Sequence, residues 1–238
     1  MSRKTRKANN IIKAIILVLV LLIIAVIMIF RQINLSSKET IIKNDVEIAI
    51  EKTATQFPYD LGDGVIVESL FQFTGTNPDC ENQEGENIAS ISVRNESDKL
   101  LDQVKVEVTL DSGDTLNFEI EDMPAESVVN TFEKNNKNYE LTDVCTDVNG
   151  KIEFSNKDQD ITELFEIREE ETTVTIINLS EKDLKELVVH CHCSLGDTYF
   201  GGLTYKYPVD KISSGESVTI EALDCYLGEA DVVKISKK

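Results

Sequence analysis

One stretch of this chain is written twice. Asn95-Glu96-Ser97, then Leu101, Val104, Val106, Val108 and Leu110, then Gly113-Asp114-Thr115 return as Asn178-Leu179-Ser180, Leu184, Leu187, Val189, Cys191 and Cys193, and Gly196-Asp197-Thr198, each position displaced by 83 residues without a gap. Upstream, Ile91 and Val93 match Val174 and Ile176. Downstream, Glu126-Ser127-Val128 matches Glu216-Ser217-Val218 after seven further residues in the second copy. A shared β composition makes alternation cheap, but it does not set Asn-x-Ser and Gly-Asp-Thr at one offset. The reading is two copies of one small domain.

Within each copy the alternation has period two, which is that of a half-buried strand. Val104, Val106, Val108 and Leu110 belong to one face, Lys105, Glu107 and Thr109 to the other, and the Gly-Asp pair that follows turns the chain into the next strand. Burying four such side chains contributes on the order of 1.5–3 kcal/mol each before the entropy of ordering them is subtracted. A hairpin alone cannot cover that face, so a second sheet must. The expected fold class is all-β: two tandem small antiparallel β-sandwiches, residues 58–155 and 161–238, with Asn149-Gly150 as a tight hairpin turn and the polar stretch Ser155 to Asp160 as the boundary.

At these residues the chain resembles bacterial immunoglobulin-like or fibronectin-type-III-like modules of the FxLYD kind, in which an Asn and a Ser precede an alternating strand, an acidic-Gly turn and a Gly-Glu-Ser segment. The matching stretches are Asn95 to Thr115 with Ala125 to Val128, and Asn178 to Thr198 with Gly215 to Val218; the Phe-x-Leu-Tyr-Asp string itself is missing. The resemblance implies an envelope binding or spacer module with no chemistry of its own.

The N-terminal segment is of another kind. Ala14 to Phe30 reads AIILVLVLLIIAVIMIF, apolar on every face, and Ile11 and Ile12 extend it beyond Lys13. As a helix it spans roughly 25–30 Å, which fits a hydrocarbon core. Ile29-Phe30-Arg31-Gln32 offers no small-residue cleavage site, so an uncleaved signal anchor is expected over residues 11–30. Arg3, Lys4, Arg6, Lys7 and Lys13 precede or begin the span and only Arg31 and Lys38 follow it, which places residues 1–10 in the cytoplasm as a basic tail. Residues 31–57 then read as a membrane-proximal stalk or short helix, and everything beyond is extracytoplasmic.

Charge narrows the function classes. The first 38 residues hold seven basic and no acidic side chains, leaving 17 basic against 43 acidic in the remainder, a balance of −26. A body this acidic gains nothing from counterion release, so no nucleic-acid partner is expected. Two His and no Trp leave little for enzyme chemistry.

Five cysteines are the candidate site residues: Cys80, Cys145, Cys191, Cys193 and Cys225. By the repeat register Cys191 and Cys193 take the places of Val108 and Leu110 and point inward. They are read either as buried free thiols or as a disulfide from one of them to Cys225, with Cys80 to Cys145 as the counterpart in the first copy. A zinc site lacks its fourth ligand. His190 and His192 flank these thiols on the outward face, where two imidazoles could hold a surface metal but read as exposed strand residues. The acidic turns Asp60-Leu61-Gly62-Asp63 and Asp158-Gln159-Asp160 do not follow calcium-loop spacing.

A sortase-like reading, in which Leu141-Thr142-Asp143-Val144-Cys145 carries a nucleophile, fails on order because no His precedes Cys145. Asn-x-Ser triplets at Asn34, Asn95 and Asn178 would be glycan acceptors in a eukaryotic lumen and are incidental in a bacterium.

The expectation is therefore a single-pass protein of the plasma membrane, touching lipid through its N-terminal helix, whose two modules bind or space an envelope protein or cell-wall partner, without enzyme activity, metal or cofactor. The alternative is an envelope enzyme using Cys145, or a metal-dependent module using His190 and His192.

Overall fold

Period-two alternation becomes strand throughout the computed structural model, which describes residues 57–155, 160–225 and 228–238. The expectations for the tail, anchor and stalk lie outside the described residues, apart from the stalk's last residue, as does most of the polar boundary stretch. No helix among the described residues is long and apolar enough to cross a membrane.

The fold is all-β. Its first strands are β1 (Tyr59–Gly62), β2 (Val65–Asn77), β3 (Gln83–Asn95), β4 (Leu101–Leu110), β5 (Thr115–Met123), β6 (Ser127–Phe132) and β7 (Cys145–Phe154). They continue as β8 (Phe165–Glu170), β9 (Thr173–Asn178), β10 (Leu184–Leu195), β11 (Thr198–Phe200), β12 (Tyr205–Ile212), β13 (Ser217–Glu221) and β14 (Glu229–Lys237). Two layers, β2-β3-β6 and β5-β4-β7, enclose one apolar cluster built on Val67, Ile91, Val106 and Phe118. The layers β8-β9-β13 and β12-β10-β14 enclose another around Ile176, Val189, Cys191 and Ile235. Val104, Val106, Val108 and Leu110 are all buried, while Lys105 and Glu107 face solvent.

The repeated Asn-x-Ser has a shared structural role. Asn95 ends β3 and Asn178 ends β9, both with no exposed surface. Asn95 Oδ1 accepts the Ser97 N–H at 3.0 Å and the Ser97 hydroxyl at 2.7 Å, while its Nδ2 donates to the Lys99 and Pro124 carbonyls. Asn178 repeats this with Ser180 at 2.9 and 2.7 Å and with the Lys182 and Ile212 carbonyls. A buried Asn side chain thus replaces the backbone pairing that the chain loses as it crosses between layers. Both amides are engaged inside the protein, so these triplets are turn builders and present no acceptor to a glycan.

Asn149-Gly150 is a correction to the expected hairpin turn. Both residues lie inside β7, opposite Glu107 and Val106 of β4. A Cβ on Gly150 would come within 2.7 Å of the Leu61 side chain, so the glycine admits a close neighbour rather than a reversal. The reversal expected of a Gly-containing turn occurs at Asp63 and Gly64, where positive φ values of 54° and 81° close the β1–β2 hairpin.

The two halves are joined through the sheet. β11 pairs in parallel with β6 through Tyr199 opposite Val129 and Phe200 opposite Asn130, while its other side pairs with β10. An eight-stranded sheet therefore runs from β1 across to β12 and β14, containing one layer from each half. β11 and the loop after it fall where the second copy carries its seven extra residues. The first copy makes the same passage with the Asp111–Asp114 turn alone.

Candidate functional site

The richest polar chemistry in the described residues lies where the outward face of β10, β12 and β14 meets the end of β5. Alternation along β10 turns Val189, Cys191 and Cys193 into the second core and His190 and His192 the other way. That outward face was expected to be solvated, and the structure corrects this: His190 is 8% exposed and His192 0%. The physical reason is that Glu121 and Asp122 of the first half sit on top of them.

His190 Nδ1 lies 2.7 Å from Asp122 Oδ2, and its Nε2 lies 2.9 Å from Ser236 Oγ. The other Asp122 oxygen accepts Lys234 Nζ at 3.2 Å, and Lys234 also donates to Asp102 Oδ1 at 2.9 Å. Burial works to raise the Asp122 pKa, but His190 and Lys234 outweigh it and hold the carboxyl below its ordinary 3.8. Burial likewise works against the Lys234 charge, and Asp102 with Asp122 outweighs it, lifting the ammonium above 10.5.

His192 is a neutral ring. Its Nε2 lies 2.6 Å from the Glu121 carbonyl oxygen, which can only accept, so Nε2 carries the proton. Nδ1 is then a buried acceptor without a hydrogen-bond partner, and burial pushes the pKa of the ring down. Thr204 Oγ1 donates to the same carbonyl at 3.1 Å, and the Glu121 N–H donates to the Gly202 carbonyl at 2.8 Å. Above this layer Asp102, Gln103, Glu121, Asp122, Glu153, His190, Lys206 and Lys234 line a shallow cleft of about 320 Å³.

A second clamp closes the junction beside β11. Asn77, fully buried at the end of β2, accepts the Asp79 N–H at 2.9 Å and so aims the Asp79 side chain. One Asp79 oxygen accepts Thr131 Oγ1 and the Phe132 N–H, both at 2.9 Å, from β6. The other accepts the N–H groups of Gly202 at 2.7 Å and Leu203 at 3.2 Å, from the loop after β11. One carboxylate therefore ties both halves. Phe73 and Phe132 meet Phe200 alongside it at ring-centroid distances of 5.7 and 4.9 Å. A Cβ on Gly202 would lie 2.0 Å from the Glu119 carbonyl oxygen, so only glycine allows the two backbones this approach.

The cysteines are distributed otherwise. Cys193 and Cys225 form a disulfide with Cα atoms 5.1 Å apart. Cys191 is free and fully buried, its thiol pushed up to about 12 by burial and by Glu169 and Asp231. Cys80 and Cys145 are both free, so the pairing considered for them is not made. Cys145 begins β7 facing the first core, where burial raises its thiol pKa, an inert setting for a nucleophile. Among the described residues no group of three or more His, Cys, Asp or Glu side chains is placed to hold a metal ion. Asp60 instead accepts the Gly62 N–H at 2.8 Å to shape its turn.

Two signals in the sequence bore on this junction. One was the seven-residue excess of the second copy, the other the pair Gly201-Gly202 within it. No family model matches the chain, and no curated protein matches it.

Proposed function

We propose that this chain is a membrane-anchored extracytoplasmic spacer and binding module: a cytoplasmic tail, a signal anchor over residues 11–30, a stalk, and two tandem FxLYD-like sandwiches, 58–155 and 161–238, that hold a partner in the cell envelope at a fixed distance. The observation that carries this reading is the locked junction. Tandem modules on a plain linker move independently, whereas here a parallel strand pair, a shared carboxylate and a buried His-Asp-Lys cluster bind the halves. The Cys193–Cys225 disulfide supports an oxidising compartment. Protease added to intact cells or spheroplasts is expected to remove the acidic body and spare the leader. Digestion that begins only after the membrane is permeabilised would reverse the orientation.

One observation favours a second reading. Asp122, His190 and Ser236 follow the carboxylate–imidazole–hydroxyl order of a serine hydrolase relay, at 2.7 and 2.9 Å. On that reading a fluorophosphonate probe labels folded protein at Ser236, and His190→Ala abolishes the labelling. On the spacer reading Ser236 stays unlabelled, because it completes the clamp and meets no substrate.

A further inference from the structure

The edges of the two equivalent layers differ in one respect. In the first half β6 pairs with β3 on one side and with β11 on the other. In the second half β13, which begins at the repeat-equivalent Ser217, pairs only with β9 among the described residues and ends its sheet there.

Register shows which groups that edge presents. The Asn178 N–H donates to the Glu216 carbonyl and the Ala222 N–H to the Thr172 carbonyl. Antiparallel ladders alternate, so Val218 and Ile220, lying between these two pairs at even spacing, direct their backbone groups to β9. Ser217, Thr219 and Glu221 therefore turn N–H and C=O outward, and all three are exposed. Natural edges carry lysine, proline, bulges or inward charges that discourage pairing. β8 has Glu166, Arg168, Glu169 and Glu170, and β12 has Lys206, Pro208, Asp210 and Lys211. β13, Ser-Val-Thr-Ile-Glu, is charged only at its last residue.

We infer that β13 is a self-association edge, pairing antiparallel with β13 of a second copy about a two-fold axis at Thr219. The occupant follows from the sequence of the strand. In this register Thr219 faces its own counterpart, Ser217 faces Glu221, and Val218 faces Ile220, so no like charges meet and the central pair is the favourable Thr–Thr. All three outward residues then fall in hydrogen-bonded pairs. The two sheets become one of six strands. The opposing force is the acidic charge of each copy, which salt screens.

The test uses the full chain in mild detergent, sized by analytical ultracentrifugation. Dimer is expected to strengthen several-fold as sodium chloride rises from about 0.05 to 0.5 M. Of the backbone groups Thr219→Pro removes only an outward N–H, so it spares the β9 backbone ladder; it also gives up the hydroxyl contact with Thr175 at 3.0 Å, which Thr219→Val removes alone as a control, and it is expected to weaken the dimer by about tenfold or more. Thr219→Lys is expected to do the same and covers the case in which proline misfolds the strand. Paired Cα atoms in a hydrogen-bonded antiparallel pair lie about 5.5 Å apart, within disulfide range. In a Cys80→Ser background, Thr219→Cys should therefore cross-link to itself on oxidation and Ser217→Cys should not. A monomer at every salt concentration, a dimer indifferent to both Thr219→Pro and Thr219→Lys, or equal cross-linking at Ser217 and Thr219 overturns the proposal.

Discussion

Replacing Asp79 by alanine is expected to uncouple the two halves and cost about 3–5 kcal/mol. The substitution leaves the Phe132, Gly202 and Leu203 N–H groups without their side-chain acceptor and the Thr131 hydroxyl with the Glu119 carbonyl alone. Each buried group so stranded costs roughly 1–3 kcal/mol, reduced where water enters. What remains beside it is a parallel pairing of only two register positions and the ring contacts of Phe200 with Phe73 and Phe132. Urea unfolding followed by circular dichroism should show an earlier transition for β11 and the second core, separated from that of the first core. Spin labels placed one on each half should change from a narrow to a broad distance distribution. A single transition at the wild-type midpoint would mean that Asp79 does not join the halves, and the spacer reading would lose its main support.

Asp122 is the second position of large effect, and its contribution depends on pH. Asp122→Ala removes the carboxylate beside His190 and one of the two that Lys234 pairs with, leaving this ammonium, on a side chain only 7% exposed, to Asp102 alone. Breaking a buried charge pair from one side costs roughly 3–5 kcal/mol when the partner is left uncompensated, and the retained Asp102 pairing puts this substitution at or below the lower end of that range. The sign of the pH effect follows from the lowered pKa of Asp122. The native state prefers the ionised carboxylate, so this stability is complete above the ordinary value of 3.8 and is lost as pH falls through the lower folded value. Lys234 behaves in the opposite sense: its contribution is present through neutrality and fades only as pH rises beyond its ordinary 10.5. The gap between wild type and Asp122→Ala should therefore shrink below about pH 4. A gap that stays constant into that acid range would show that the carboxylate is not what holds the junction.

The local physics of the fold was legible in the sequence, while the contacts between halves were not. Alternation at Val104 to Leu110 sets which side chains meet the core, because a strand turns each successive residue to the opposite face. Asn95 and Asn178 stood out by repetition, although their burial did not, since polarity alone argues for the surface. His190 and His192 were assigned to the right face and the wrong environment. Period two tells which face a residue takes, but whether solvent or another half of the chain covers that face depends on contacts across about 70 residues. Gly150 misled for a related reason: a glycine beside an asparagine has the composition of a turn, and only the packing of Leu61 against it reveals a different use. The parallel β6–β11 pairing leaves no periodic trace, being made by three residues at the tip of a connection.

That short connection also determines how the chain can be divided. A fragment ending at Ser155 would keep the first apolar cluster nearly whole, yet it would bare the edge of β6 and remove two of the four donors that surround the Asp79 carboxylate. Its counterpart beginning at Ile161 would carry β11 as an unsupported tip and open His192, a ring that burial keeps neutral, to water. Each piece would thus inherit a surface made to be covered, and the shortest stretch that leaves none of these groups bare runs through both copies.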